Sequence, residues 1–208
     1  MIFPSALPVP EIEIHTPELD EAGVRLIVRR EDLNHPTVSG NKYWKLKYNL
    51  LEAQKQGYDT VLTFGGAFSN HIAATAAACG ICGLQSIGIV RGEDANLNNP
   101  TLSKARADGM VIYAVARDLY RQKTSVSFLD KLREKFGAYY LIPEGGTNAL
   151  AIEGVKEMVS NIQTPFDYLT LPVGTGGTIS GGIQALGGRS TILGFASLGG
   201  GFLAKEIE

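Results

Sequence analysis

Lys42 stands where a turn built from Ser39, Gly40 and Asn41 hands over to a helical pattern. A helix N-terminus carries partial positive charge, so a cation is disfavoured there. That field, with any burial, pushes a lysine amine toward its neutral form. A neutral amine is a nucleophile and a proton acceptor; a protonated one is neither. Taken alone, Lys42 also reads as a surface lysine, as Lys45 and Lys47 do, and two further stretches decide between the readings. The first is Val173-Gly174-Thr175-Gly176-Gly177-Thr178-Ile179-Ser180-Gly181-Gly182, which follows an apolar strand and opens a helix. Successive backbone N–H groups there, with the hydroxyls of Thr175 and Thr178, would cradle a phosphate at the helix N-terminus. A P-loop is excluded because its lysine is missing, and a dinucleotide fingerprint because Ile179 stands where the last glycine should be. A close helix–strand packing turn is the other reading of these glycines. The second stretch is Phe64-Gly65-Gly66-Ala67-Phe68-Ser69-Asn70-His71. Ser69 and Asn70 stand at a helix start, where either could be a plain cap or face a ligand. His71 could be a base, a ligand or a satisfied polar residue. His15 and His35 lie in loops and suggest nothing specific.

Other chemistries fit less well. Ser39-Gly40-Asn41-Lys42 matches the S-x-x-K of serine acyl-enzymes, and Lys123-Thr124-Ser125 faintly echoes K-T-G. A motif with two fixed positions arises often by chance, and this one lies between parallel-sheet elements. Cys79-Gly80-Ile81-Cys82 follows an Ala-rich helical run and reads as packing, the usual habit of free cysteine, rather than as a redox pair. No second Cys or His pair completes a zinc set.

The elements that must hold these residues alternate. Strands are expected at 23–30, 60–64, 86–90, 111–115, 139–142, 168–173 and 191–196. Helices are expected at 43–57, 69–78, 101–108, 126–136, 149–162 and 177–186. Residues 1–23 are Pro-rich and expected to be irregular, and 202–208 look like the start of a helix. Alternation of strand and helix predicts an α/β fold, parallel sheets with helices on both faces. Ligands in such sheets bind beyond the carboxyl ends of the strands. Glycine-rich turns fall there three times, after Phe64, Ile142 and Val173.

Glycine, 25 of 208 residues, clusters at those turns and lets the backbone approach a ligand. With 44% apolar and 19% charged residues, the composition is that of a globular protein able to bury a sizeable core. A net charge of −2 gives no electrostatic case for a nucleic-acid or acidic membrane partner. The apolar runs are too short to span a bilayer, and the N-terminus lacks the features of a signal peptide. A cytoplasmic protein is the default expectation. The end of the chain, without a capping glycine or tail, suggests a truncated chain.

As a set, the three stretches resemble fold type II pyridoxal-phosphate enzymes, and more narrowly the 1-aminocyclopropane-1-carboxylate deaminase / D-cysteine desulfhydrase family. The residues that carry the resemblance are Arg30-Glu31-Asp32, Gly40-Asn41-Lys42 with Lys45-Leu46, and Gly65-Gly66 with Ser69-Asn70-His71. Ile142-Pro143 with Gly145-Gly146 and Asn148-Ala149 follow, and then the cup of Gly174, Thr175, Gly176, Gly177 and Thr178. The resemblance implies a pyridoxal 5'-phosphate cofactor, with Lys42 as its Schiff-base lysine and proton shuttle. It implies that Asn70 bonds the phenolic oxygen of the ring and that the glycine cup binds the phosphate. Ser69 would contact the substrate carboxylate or assist proton transfer, with Asn70 and His71 as further substrate contacts. The implied reaction is that of a lyase or hydrolase-type deaminase. It converts D-cysteine or 1-aminocyclopropane-1-carboxylate to an α-keto acid and ammonia, with sulfide from D-cysteine. Ser-Asn-His and Gly-Gly-x-Asn-Ala look more like the desulfhydrase branch. Trp44, Ser39 and Phe68 depart from the common pattern and bear on substrate choice. The resemblance also implies a homodimer and two α/β domains, tryptophan synthase β-like, with the cofactor between them. The smaller domain covers 42–160; the larger is assembled from 1–41 and 161–208, with its C-terminal part missing. In relatives that part supplies the partner of the pyridine nitrogen. The alternative is a truncated or degenerate non-catalytic relative that binds a phosphate-bearing ligand.

Overall fold

The computed structural model describes residues 3–93 and 96–197. The helix expected at 202–208 lies outside them. In chain order the elements are β1 (Glu11–Ile14), α1 (Pro17–Ala22), β2 (Leu26–Arg29), α2 (Asn41–Lys55), β3 (Thr60–Gly65), α3 (Asn70–Ile81), β4 (Gln85–Arg91), α4 (Pro100–Ala107) and β5 (Met110–Val115). Then follow α5 (Arg117–Tyr120), α6 (Val126–Phe136), β6 (Tyr140–Ile142), α7 (Ala149–Ser160), β7 (Tyr168–Val173), α8 (Gly177–Leu186) and β8 (Thr191–Ala196).

The N-terminal segment is not irregular. β1 pairs antiparallel with β2, Glu11 opposite Arg29 and Ile14 opposite Leu26. Thr16 caps α1 with its hydroxyl accepting from the Leu19 N–H, and Pro17 opens the helix, where its missing N–H costs nothing. The alternation of Glu11-Ile12-Glu13-Ile14 and the Thr-Pro start were legible, but each element is too short for a periodicity to stand out. The hairpin is tied to the segment after α7. Arg29 Nη1 donates to the Asn161 carbonyl at 3.0 Å, and Glu11 accepts from the backbone N–H groups of Gln163 and Thr164, both at 2.9 Å.

The central sheet is parallel, in the order β5-β4-β3-β6. Its strands read as nearly continuous apolar runs because both faces are covered. Leu62, Phe64, Ile87 and Ile89 pack with Tyr120, Phe128 and Leu132 of α5 and α6 on one face. On the other face, Ile72, Ala76, Leu102 and Ala105 of α3 and α4 pack against Val90 and Met110. A third unit, β7-α8-β8, carries its own two-stranded parallel sheet. Among the described residues one helix, α8, covers one face of this sheet. Leu169, Leu171 and Ile192 face α8 around Gly182, while Tyr168 and Phe195 on the other side are more than half exposed.

Three helices join these parts. Leu46 and Leu50 of α2 are fully buried, each contributing roughly 1.5–3 kcal/mol by removal from water. They share a core with Val155, Met158 and Val159 of α7 and Leu186 of α8. Glycine sets the spacing. A Cβ on Gly154 would lie 1.9 Å from the Trp44 carbonyl oxygen, and one on Gly181 would lie 2.6 Å from the Val155 side chain. The backbones of α2 and α7, and of α7 and α8, therefore touch where any larger residue would wedge them apart. This packing brings the start of α2 against the start of α8.

Candidate functional site

The turn before α2 is fixed from below. Gly40 takes φ +71°, a conformation that favours glycine. Buried Asn34 holds it, accepting from the Gly40 N–H at 3.1 Å and donating to the Gly40 carbonyl at 3.0 Å. Glu31 joins Asn34 to the helix, accepting from the Asn34 amide at 2.9 Å and from the Trp44 indole N–H at 2.7 Å. Trp44 is thus a buried core residue with a polar handle, turned toward Glu31.

Asn41 then joins the lysine to the glycine cup. Its Nδ2 donates to Thr178 Oγ1 at 2.8 Å, and its Oδ1 accepts from Lys42 Nζ at 3.0 Å. Asn41, Lys42, Lys45, Gly174, Thr175, Gly176 and Thr178 line one hollow of about 40 Å³. Gly176 turns with φ +76° into α8, whose first-turn N–H groups have no partner within the helix. Burial lowers the Lys42 pKa, which favours the neutral amine in the direction expected from its position.

Lys45 is not a surface lysine. It is 2% exposed, one helical turn from Lys42 and on the same side. Its Nζ donates to the Gly145 carbonyl at 3.0 Å and Thr147 Oγ1 at 3.3 Å, with Thr175 Oγ1 at 3.5 Å. Among the described residues no carboxylate pairs with it. Burial, and then the charge of Lys42, depress its pKa to about 7. The cup that lacked a lysine in its own sequence therefore receives one from α2. The i, i+3 spacing from Lys42 was the available signal; which face of α2 is buried was not readable. Lys47, half-buried, pairs instead with Glu157 at 2.6 Å.

The loop between β6 and α7 closes the cup from the side. Thr147 Oγ1 lies 2.8 Å from Thr175 Oγ1. Gly145, at φ +68°, approaches Thr175 so closely that a Cβ would sit 2.6 Å from its side chain. Gly177 does the same beneath the hollow: a Cβ there would lie 2.7 Å from Thr147 Oγ1 and 3.0 Å from Lys45 Nζ.

Ser69, Asn70 and His71 are not part of the hollow's wall. Ser69 caps α3, accepting from the Ile72 N–H at 3.3 Å. Asn70 is exposed at the first position of α3. His71 is 2% exposed. Its Nε2 lies 2.8 Å from Thr63 Oγ1, which donates to the Ile142 carbonyl at 2.8 Å. Burial first, and then the charges of Lys42 and Lys45, lower the His71 pKa to about 3, so it is neutral at any working pH. Ser39 is exposed, and the Lys42 amine bonds Asn41 rather than Ser39. Cys79 and Cys82 are free, buried thiols, and burial pushes both pKa values up, which suits packing rather than redox chemistry. Among the described residues there is no cluster of His, Cys, Asp and Glu able to hold a metal ion, and no helix is long and apolar enough to cross a membrane.

The model of the pyridoxal-phosphate dependent enzyme family matches residues 6–199. A putative 1-aminocyclopropane-1-carboxylate deaminase of Thermotoga maritima is 36% identical over 168 residues, covering 78% of this chain and 54% of that protein. The mitochondrial bifunctional D-cysteine desulfhydrase/1-aminocyclopropane-1-carboxylate deaminase of Arabidopsis thaliana is 33% identical over 194 residues, 84% of this chain and 48% of that one. The crystal structure of an ACC deaminase homologue superposes with a TM-score of 0.79 at 26% identity, covering 100% of this chain and 65% of its own. A fungal L-serine ammonia-lyase from Rhizomucor miehei, at 16% identity and a TM-score of 0.68, shares the fold. The chain spans about half the length of the curated relatives it matches.

Proposed function

The chain belongs to the pyridoxal-phosphate-dependent enzymes, and from that premise we propose a deaminase or lyase that converts a small amino acid to an α-keto acid and ammonia. D-Cysteine, releasing sulfide as well, and 1-aminocyclopropane-1-carboxylate are the substrates to try first, since relatives at 28–36% identity carry those names. The observation that carries the proposal is the hollow shared by Lys42 and the glycine cup.

The residues fit the cofactor. Gly177 keeps open a cradle that a Cβ would fill, and Lys45 presents a buried cation with no carboxylate partner. Gly174, Thr175, Gly176, Gly177 and Thr178 would hold the phosphate through the N–H groups of the helix start, with Lys45 beneath. Lys42 would hold the cofactor covalently. When bound, the cofactor withdraws electrons from the substrate Cα and so eases loss of its proton.

The chain's own part is binding and proton handling. Burial lowers the Lys42 pKa and so favours the neutral amine, the form that accepts a proton, and Asn41 orients its Nζ. Ser69 and Asn70, at the start of α3, would meet the substrate carboxylate, and Asn70 would bond the ring oxygen. The His71 ring supports that helix from below by its link to Thr63, and any substrate contact would come from its backbone. The larger domain is taken as 1–41 with 161–208 and the smaller as 42–160. The bonds from Glu11 and Arg29 to 161–164 favour that division. A homodimer and a cytoplasmic location complete the proposal.

The length relation to the curated relatives favours a second reading, in which the cup binds a phosphate-bearing ligand without turnover. An assay for keto-acid and ammonia release from D-cysteine, L-serine and 1-aminocyclopropane-1-carboxylate separates the two. Turnover lost in Lys42→Ala supports the enzyme. A protein that takes up the cofactor yet releases no keto acid from any substrate supports the second reading.

A further inference from the structure

The central sheet has a second polar cluster at its carboxyl edge. Gly66 follows β3, Arg91 ends β4, Tyr120 ends the helix after β5, and Glu144 follows β6. All four parallel strands thus deliver one member at the end where ligands of such sheets bind. Tyr120 is the hub. Its ring is 2% exposed and meets Phe64 edge-on, with centroids 5.9 Å apart. Arg91 Cζ lies 5.8 Å from the ring centroid, and Lys123 Nζ lies 5.3 Å from it. The Tyr120 hydroxyl is buried, under the influence of the Glu144 carboxylate.

The two cations differ. Lys123 pairs with Glu144 at 3.3 Å. Arg91 is exposed, and among the described residues the Tyr120 ring is its one partner. Its Nη2 would lie 3.8 Å from a Cβ on Gly66. The guanidinium therefore sits against the turn that leads into Ser69 and Asn70. The loop carrying Glu144 continues through Gly145 to Thr175 and Lys45 of the hollow. A planar fork propped on an aromatic face and left without a carboxylate is built to take one.

We propose that Arg91 binds a second acidic group at the far end of the substrate, so that amino acids with an acidic side chain are preferred over neutral ones. The inference rests on the preceding reading that a small amino acid binds beside Lys42 with its α-carboxylate at the start of α3. The Arg91 fork lies against the same turn, at Gly66, that leads into the helix start, which gives one donor group for each anionic group. A neutral substrate fills only the first.

The test is equilibrium binding of unreactive acids to the cofactor-loaded chain, succinate and malonate against butyrate and propionate, in wild type, Arg91→Gln and Arg91→Lys. Cofactor loading, read from its visible band, and the thermal midpoint are recorded for each protein. Wild type is expected to bind the dicarboxylates about tenfold or more tighter than their monocarboxylate counterparts. Arg91→Gln erases that preference, and Arg91→Lys restores part of it, with loading and midpoint unchanged. Equal binding of both classes by wild type overturns the inference. So does an Arg91→Gln protein that loses affinity for both classes alike, because Arg91 then serves the α-carboxylate. A wild-type chain that never takes up the cofactor fails the preceding reading instead, and shows that failure in the visible band.

Discussion

Two concavities of the molecule invite comparison. The larger, about 340 Å³, lies at the amino ends of β7 and β8, between the C-terminal ends of α7 and α8. The smaller, about 40 Å³, lies at the carboxyl end of β7 and the start of α8. In the large cleft Arg189 and Ser190 are bonded to the backbone. Arg189 donates to the carbonyls of Leu186 and Ala185, and Ser190 donates to that of Phe166. These bonds tie off the end of α8, a structural task. In the small hollow two lysines stand without a carboxylate among the described residues, beside a helix start whose N–H groups point out of the helix. Volume favours the first site; unsatisfied charge and donors favour the second. An anion would compensate the buried lysine of the small hollow, whereas Arg189 of the large cleft is exposed to water and bonded to backbone carbonyls. The difference supports the small hollow as the proposed site, because natural folds rarely leave buried charge uncompensated.

The sharpest way to break this comparison is one substitution in each place. Lys42→Ala should abolish the yellow colour of the loaded protein altogether, while Arg189→Ala in the large cleft should leave cofactor uptake unchanged. The reverse pattern in absorbance titrations would exchange the roles of the two sites. Next in size, Lys45→Met should weaken cofactor binding about 10- to 100-fold, the loss of one charge-assisted contact to a phosphate. The same change should leave the cofactor-free chain equally or more stable, since a buried unpaired cation is replaced by an apolar chain of similar length. Urea unfolding without cofactor checks that half. Gly177→Ala should cost about tenfold in cofactor affinity, because its Cβ would press on Lys45 Nζ and Thr147 Oγ1. No comparable loss is expected from Gly187→Ala at the far end of α8, where nothing lies within 4 Å of the added Cβ.

A pH dependence sharpens the comparison from the side of stability rather than of binding. Burial, and then the charge of Lys42, bring the folded-state pKa of Lys45 to about 7 from its ordinary 10.5. Below about 7 both folded and unfolded chains carry its proton, and the full cost of the buried charge is present. Between about 7 and 10.5 the unfolded chain holds the extra proton, so stability of the cofactor-free protein should rise with pH. The gain is on the order of a few kcal/mol. Lys42, shifted in the same direction, adds to it. The Lys45 part of this slope should vanish in Lys45→Met and fade on loading with cofactor, whose phosphate favours the charged amine. Denaturation midpoints across that range measure it.

Much of this asymmetry could be read from the sequence. The glycine turns after β3, β6 and β7 announced the carboxyl edge, and the strand–helix alternation announced the parallel sheets. Lys42 and the cup were expected to share one hollow, as they do. The sequence did not show Lys45 as the cup's cation, because burial of one helix face depends on α7 approaching at Gly154, far away in the chain. Nor did it show Asn41 as the strap between lysine and cup, a link set by the packing of α2 against α8. Asn34 was invisible for the same reason, a buried polar residue whose partners are backbone groups of a turn. Of the N-terminal hairpin, β2 was read within the strand expected at 23–30, but β1 and α1 went unread because a four-residue strand and a six-residue helix carry too little periodicity to register.

The central claim is that the Lys42 amine and the glycine cup hold the two ends of one cofactor. Pyridoxal phosphate added to the purified chain, fixed by borohydride reduction and located by peptide mass analysis, tests it directly. The account predicts a single modified lysine, Lys42, with labelling suppressed by excess inorganic phosphate competing at the cup. Labelling spread over exposed lysines, or Lys42 labelled with no response to phosphate, would contradict it.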